Sequence, residues 1–305
     1  MKNNICIGPV TPFSFSTVLF VDAFLSCKYK IHSILSAKGY ELQFIKDMKS
    51  DQKEKYGHLL ESDFENAMEK VDTVLLPEYR DGDSMYSGSL DVLEKAMNNH
   101  KNVISLLELN RKQYEYYKIL SKKMNVIFES YQNDFLPGIQ YKEFSKPLHR
   151  LHTPVIMIGE MTNDLGADAL MASISSFYMK DNRSVSLIGK ESILSLLGMH
   201  SIDFNNIKGK LERQIYRINK LFHLIELTEH PSVIICKFPH PIMRFNNDIA
   251  YDFGASAFMI TQAIEPSYFI LCSPIGFEDS MFWVPFLKNI EEKFGCQLQF
   301  ALQIR

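Results

Sequence analysis

The chain lacks the cysteine pattern of a disulfide-rich or metal-binding protein. Its 305 residues include 5 cysteines, and no two of them form a CxxC pair. An odd number of scattered cysteines is typical of reduced thiols in a cytosolic protein. The sequence therefore predicts neither a disulfide framework nor a metal site.

Long apolar runs and an excess of one charge are missing as well. No stretch approaches the ~18 uncharged apolar residues of a membrane span, and the N-terminus has no signal-peptide pattern. The 33 basic and 36 acidic residues leave a formal charge of -3, whereas a nucleic-acid-binding protein usually carries a basic surplus. We therefore expect a cytoplasmic protein that binds neither membranes nor nucleic acid.

The chain does contain a regular alternation of short β-branched runs with longer amphipathic segments, and this alternation occurs twice. The strand-like runs are 4–8, 30–36, 73–77, 102–106 and 125–129, followed by 155–159, 184–189, 232–238, 268–272 and 298–304. Such a pattern is typical of βα units that build a mostly parallel sheet. It predicts two Rossmann-like, three-layer α/β domains.

The boundary between the two domains is predicted from a break in this alternation. Residues 131–153 contain Pro137, Gly138 and Pro147 and have no clear helix or strand period. We therefore expect domains at 1–145 and 151–305. The longest helix of the second domain is predicted over 207–227, on an apolar stripe of Ile207, Leu211, Ile215, Ile218, Phe222 and Ile225.

The segment VIMIGEMTNDLGADAL, residues 155–170, begins like a phosphate-binding loop. A working loop of this type has the pattern GxxxxGK[ST], but Gly159 and Gly166 are seven residues apart and no lysine follows. Asp168 stands there instead, and at an effective dielectric of about 20 it would repel each phosphate charge by ~4 kcal/mol at about 4 Å. The segment predicts a degenerate P-loop, a strand–turn–helix corner without the chemistry that holds a triphosphate.

This corner still contains the first group of candidate ligand-binding residues. Thr162, Asn163 or Asp164 is expected to cap the new helix from its side chain. A helix N-terminus also favours a weak anion such as a carboxylate. The candidate residues here are Gly159, Thr162, Asn163 and Gly166.

A second group of candidates follows the next two predicted strands. Lys190 comes directly after a strand in SLIGKES, where it is the best candidate for an anion contact. The long polar loop 237–254 occupies a position where α/β proteins often place a recognition loop, and it contains Lys237, Arg244, Asn246 and Asn247. No catalytic residue emerges, because the chain has no GxSxG elbow and no cysteine with an activating neighbour. Dinucleotide binding has no GxGxxG fingerprint either.

Several segments together resemble the clostridial peptide maturation system family. They are ILSAKGYEL, VDTVLLPEY, PVIMIGEMTNDLGADALMAS and DIAYDFGASAFMITQAIEPSYFILCSP. The resemblance implies a Rossmann-type N-terminal half, a degenerate P-loop-type C-terminal half and a bacterial protein encoded beside small ribosomal peptides and their modifying enzymes. It implies a context, the maturation of a peptide natural product, rather than a reaction.

Our leading hypothesis is an accessory protein without catalysis or a cofactor, which binds a precursor peptide or a peptide-modifying enzyme. The alternative is an enzyme that uses a nucleotide or a phosphorylated substrate between the two halves. It would be a transferase, for example one similar to glycosyltransferases, with Lys190, Lys237 and Arg244 as anion contacts. A third hypothesis is a structural homodimer that uses the apolar segment 277–290, for which a place in the core is favoured.

Overall fold

The computed structural model describes residues 2–48, 50–79, 82–132, 147–162, 166–202, 210–243, 252–274 and 280–304. The chain divides into two compact units. The first comprises Met1–Gln132 with Ser195–Leu197, and the second comprises Asn133–Leu194 with Gly198–Arg305. The predicted boundary segment 131–153 includes residues 133–146, which lie outside the described residues.

The first unit contains a six-stranded sheet in the order β3-β2-β1-β4-β5-β6, and all of its pairs are parallel. Its strands are β1 Asn3–Val10, β2 Tyr29–Ser36, β3 Leu60–Glu61, β4 Thr73–Leu76, β5 Asn102–Ser105 and β6 Phe128–Ser130. Its helices are α1 Ser16–Leu25, α2 Glu41–Asp47, α3 Ser50–Tyr56, α4 Phe64–Met68, α5 Tyr86–Asn98 and α6 Arg111–Met124. This strand order is that of Rossmann dinucleotide-binding domains.

Local sequence explains the elements of the first unit. The central strands β1 and β4 are apolar on both faces, as expected for a parallel sheet covered by helices on both sides. Helix α6 begins after Asn110, whose side chain accepts hydrogen bonds from the N–H groups of Lys112 and Gln113, and Gln113 completes the capping box. It ends at Met124 and is capped by Asn125, which adopts the left-handed conformation common at helix C-termini.

The second unit contains another six-stranded sheet, in the order β12-β11-β7-β10-β8-β9, again with parallel pairs throughout. Its strands are β7 Val155–Glu160, β8 Val185–Gly189, β9 His200–Ser201, β10 Val233–Lys237, β11 Tyr268–Pro274 and β12 Phe300–Ile304. Its helices are α7 Ala167–Lys180, α8 Ile193–Leu196, α9 Leu211–Glu229, α10 Ala255–Ala263 and α11 Ser280–Phe294, although Ser195 and Leu196 of α8 cluster with the first unit. The two parallel α/β units confirm the predicted fold class.

The two faces of the second sheet are covered by different helices. Val155 and Met157 of β7 and Cys236 of β10 belong to a core cluster that contains residues of α9, α10 and α11. Helix α7 packs against β7, β8 and β10. Because side chains alternate along a strand, Glu160 and Lys237 lie on the other face, the one covered by α7.

The longest helix differs from its prediction. Residues 203–209 lie outside the described residues, and α9 begins at Leu211 and ends at Glu229. Leu211 is half-exposed, whereas Asn219 is buried. The side-chain amide of Asn219 donates to the carbonyl oxygens of His149 and Ala263, and its Oδ1 accepts from the N–H of His149. The buried face of α9 therefore includes polar side chains that hydrogen-bond to neighbouring segments, and hydrophobic periodicity cannot predict such positions.

Helix α11 covers residues 280–290 of the predicted apolar segment 277–290 and continues to Phe294, while 277–279 lie outside the described residues. Phe286 and Ile290 belong to the core cluster of the second unit, and Trp283 packs against that cluster while half-buried. Val284 and Leu287 are exposed. Among the described residues, no helix combines the length and the apolar character needed to span a membrane.

Candidate functional site

The candidate site lies at the carboxyl edge of the second sheet, where β7, β10 and β8 end side by side. The chain passes from β7 to β8 on one side and later from β10 to β11 on the other side of β7. This reversal makes the end of β7 a topological switch point, the place where open α/β sheets bind ligands. Four charged side chains meet there: Glu160, Asp168, Glu191 and Lys237.

Lys237 is the centre of this group, which we call the Lys237 cluster. It ends the strand VIICK, which is buried along its whole length, and only 7% of its side chain is exposed. Its Nζ lies 2.5 Å from Oδ1 of Asp168, in the first turn of α7, and 2.8 Å from Oε1 of Glu191, just after β8. One ammonium group therefore joins β10, α7 and the segment that follows β8.

The N-terminus of α7 is occupied by a carboxylate of the chain itself. Oε1 of Glu160, the last residue of β7, accepts a hydrogen bond of 3.0 Å from the N–H of Ala167, the first residue of the helix. Gly166 precedes it with a φ of 80°, a left-handed conformation that favours glycine. In a phosphate-binding loop, the helix N-terminus receives a phosphate group. Here the Glu160 carboxylate takes that place.

Burial and charge shift the ionisation of these groups in different directions. Burial raises the pKa of Asp168 to about 7, an effect that Lys237 opposes and the carboxylates of Glu191 and Glu160 reinforce. Burial acts in the same direction on Glu191, but Lys237 and Lys190 outweigh it and lower the pKa of that carboxyl. Burial alone would lower the pKa of Lys237, yet the two facing carboxylates raise it. The lysine is therefore charged at neutral pH.

The turn after β8 is shaped around the Glu191 carboxyl group. A Cβ on Gly189 would lie 2.5 Å from Oε2 of Glu191. A side chain at position 189 would therefore displace this carboxyl group from its position against the backbone. Oε2 is buried, and no described residue gives it a hydrogen bond. Lys237 hydrogen-bonds to the other oxygen, Oε1.

The structure places the predicted glycines in different surroundings. Gly159 lies inside β7, where a Cβ would come 3.1 Å from side-chain atoms of Ile242, Phe238 and Phe269, so it serves core packing. Gly166 is the N-cap residue of α7 and has no side chain to cap it. Thr162, expected to cap the helix, lies four residues upstream of that position. Thr162 is therefore not the N-cap residue, and Glu160 accepts the first helical N–H; Asn163 and Asp164, the other two predicted caps, lie outside the described residues.

The structure shows two of the remaining predicted ligand-binding residues, Lys237 and Lys190, in different surroundings. Lys237 lies in the centre of the site, but two carboxylates already hold it. Lys190 is half-buried, and its positive charge acts on Glu191. Asn163, Arg244, Asn246 and Asn247 lie outside the described residues.

The internal pairing of this corner was not predicted from the sequence. Asp168 was expected only to repel phosphate, and Glu191 was not among the candidate residues. The available signal was the strand VIICK, because a lysine that ends a fully apolar strand must be neutralised when buried. Acidic residues at the ends of the neighbouring parallel strands are the natural partners.

At the corresponding edge of the first sheet, side chains of the chain also hydrogen-bond to one another. After β1, the turn continues through Thr11 and Ser14, where a dinucleotide-binding domain has its glycine-rich loop. The hydroxyl of Tyr79, just after β4, lies 2.8 Å from Oγ of Ser14 and donates to the carbonyl oxygen of Pro9 at 3.3 Å. Burial raises the pKa of Tyr79, so this hydroxyl stays neutral at physiological pH.

Among the described residues, no group of three or more histidine, cysteine, aspartate or glutamate side chains is arranged to hold a metal ion. No protein-family model matches the chain, and a search of curated proteins finds no match.

Solved structures do share the fold. A DUF1611 family protein from Anabaena variabilis matches 90% of this chain and 75% of its own, with a TM-score of 0.58 and 8% identity. A homoserine dehydrogenase from S. aureus matches 43% of this chain and 32% of its own, at 17% identity and a TM-score of 0.33, which is too weak to bear on the fold. At 8% identity, the likeness to the DUF1611 protein concerns the fold of the chain and not its activity.

Proposed function

We propose that the protein is an accessory protein of a peptide natural-product maturation system, which binds a precursor peptide or a peptide-modifying enzyme and does not turn over a nucleotide. The absence of nucleotide turnover is proposed from the degenerate P-loop corner at residues 155–170. Its helix N-terminus already holds the Glu160 carboxylate, and its buried lysine is neutralised by Asp168 and Glu191.

A polyphosphate would have to overcome both arrangements. It would need to displace Glu160 from the N–H of Ala167, and it would meet Lys237 already paired with Asp168 and Glu191. A phosphate charge about 4 Å from one ionised carboxylate is repelled by ~4 kcal/mol at an effective dielectric near 20. In this corner, carboxylates of the chain therefore already hold the helix N–H and the lysine that a nucleotide phosphate would use.

The peptide context comes from the resemblance of the sequence segments to the peptide maturation family. The test is a thermal-shift panel of ATP and GTP with magnesium, nucleotide sugars and NAD(P). The panel also includes synthetic copies of the small peptides that neighbouring genes encode. A ligand at 100-fold its Kd adds about 2.7 kcal/mol of stability. We expect such a shift from a peptide and none from the nucleotides.

The alternative function is an enzyme that uses a nucleotide or a phosphorylated ligand. The strand order of the first sheet favours it, because it is the order of dinucleotide-binding domains. A nucleotide-dependent thermal shift that disappears in Lys190→Ala would support this alternative and contradict the accessory function. Lys288→Ala, at an exposed helical position, is the matched control and should leave any such shift unchanged.

A further inference from the structure

Strand β12 differs from the three other edge strands of the two sheets. β3 and β9 contain two residues each and β6 contains three, whereas β12 contains five. Glu61 lies in β3 and Glu129 lies in β6. Short length and charged side chains are common means of keeping an edge strand from pairing with another chain. β12 lacks both, since residues 296–304 include no charged residue and no proline.

The hydrogen bonds at the start of β12 show which of its backbone groups point away from the sheet. The N–H of Gln299 donates to the carbonyl oxygen of Phe269 in β11. Successive residues of a strand direct their N–H and C=O groups to opposite sides of the strand, so every second residue from Gln299 onwards faces β11. The residues that face away from β11 are Phe300, Leu302 and Ile304. No other described strand pairs with β12 to receive these groups.

The side chains in the middle of β12 leave this edge accessible. Ala301 and Leu302 point to opposite faces of the sheet, and both are exposed. The backbone of an open edge of this kind is a template for another extended chain, because a strand supplies a matching row of donors and acceptors.

The sequence of β12 is complementary to itself. When two copies of the strand meet antiparallel about a two-fold axis at Leu302, that residue lies opposite its own copy, and Phe300 lies opposite a second Ile304. All of these residues face away from β11, so each opposed pair exchanges two N–H···O=C hydrogen bonds. The register places apolar residues opposite apolar residues and brings no like charges together.

We infer that two copies of this chain dimerise through β12, antiparallel and centred on Leu302, so that the sheets of their second units join into one. A second copy is the occupant that the strand itself specifies, because the two-fold register satisfies the outward backbone groups and matches the side chains at once. The contact is isologous and closes at the dimer, since each copy contributes the same edge.

Sedimentation velocity of the full chain, from about 1 μM to about 100 μM, measures the dissociation constant of this dimer. Leu302→Pro removes an outward N–H from each copy but no hydrogen bond to β11, and edge strands accommodate proline in this orientation. Two hydrogen bonds are then lost at the two-fold axis. We expect the dissociation constant to rise about ten- to a hundredfold.

A charge exchange separates loss of pairing from damage to the strand. Leu302→Lys and Leu302→Glu each place like charges opposite one another and should weaken the dimer, whereas a one-to-one mixture of the two variants places opposite charges there and should restore it. The matched control is Val284→Lys, at an exposed position of α11, which should leave the dissociation constant unchanged.

A chain that stays monomeric at the highest concentration, or species that grow beyond the dimer, would overturn the inference. So would a dimer that Leu302→Lys leaves intact or that Val284→Lys dissociates. A mixture of the two charge variants that dimerises no better than either variant alone would contradict the two-fold register at Leu302 and overturn the inference as well.

Discussion

Replacement of Lys237 by methionine is the sharpest test of the electrostatic account of the site. Methionine retains an unbranched apolar stem but removes the ammonium group that faces Asp168 and Glu191. Removal of one partner from a buried ion pair leaves an uncompensated charge and typically costs 3–5 kcal/mol. We expect a loss of about 4 kcal/mol at pH 8, at the middle of that range.

The assay is urea unfolding followed by the fluorescence of Trp283, the single tryptophan of the chain. Trp283 packs against the core cluster of the second unit, so its signal reports the unit that contains the site. Without Lys237, burial raises the pKa of Asp168 with no ammonium group of the cluster to oppose it, and only Lys190 still opposes the effect of burial on Glu191. Both carboxyls then become neutral more readily as pH falls, and the deficit at pH 5 should be smaller than at pH 8.

The matched control is Lys288→Met, because 75% of the Lys288 side chain is exposed. A surface substitution of this kind should change stability by no more than about 0.5 kcal/mol. The triple variant Lys237→Met, Asp168→Asn, Glu191→Gln should recover most of the lost stability, because it leaves no buried charge unpaired. If Lys237→Met cost no more than the control at pH 8, or if the triple variant unfolded as easily as the single one, the reasoning would be refuted.

Four further predictions concern stability elsewhere, each measured by chemical denaturation followed by circular dichroism. Gly8→Ala should destabilise by about 1–3 kcal/mol, because its Cβ would lie 2.5 Å from the carbonyl oxygen of Leu35; Gly88→Ala, in α5 with no atom near the new Cβ, should instead stabilise by about 0.5–1 kcal/mol. Asn110→Ala removes the cap of α6 and should cost about 1 kcal/mol. Asn219→Ala leaves backbone partners unsatisfied and should cost about 1–3 kcal/mol; equal stability of any destabilising variant and the wild type would contradict its premise.

The sequence was sufficient to predict the α/β class because apolar periodicity reflects burial directly. Strands such as β10, apolar on both faces, can exist only inside a parallel sheet covered by two layers of helices. The degenerate phosphate loop was also readable from the chain, since the absence of a lysine after Gly166 is a property of the sequence itself. The polar part of the buried face of α9 was not, because Gln214 and Asn219 are buried where they form hydrogen bonds and not for their hydrophobicity.

The chain by itself thus determined which elements form and which phosphate-binding chemistry is missing. Only the tertiary structure decided that Lys237 pairs with Asp168, 69 residues away, and with Glu191, 46 residues away. Likewise, only the folded corner shows that Glu160 occupies the N-terminus of α7. The physical reason is that periodicity records how deeply a residue is buried, whereas charge pairing depends on the lateral order of the strands. The order β11-β7-β10-β8 brings together the ends of strands that are not consecutive in the sequence.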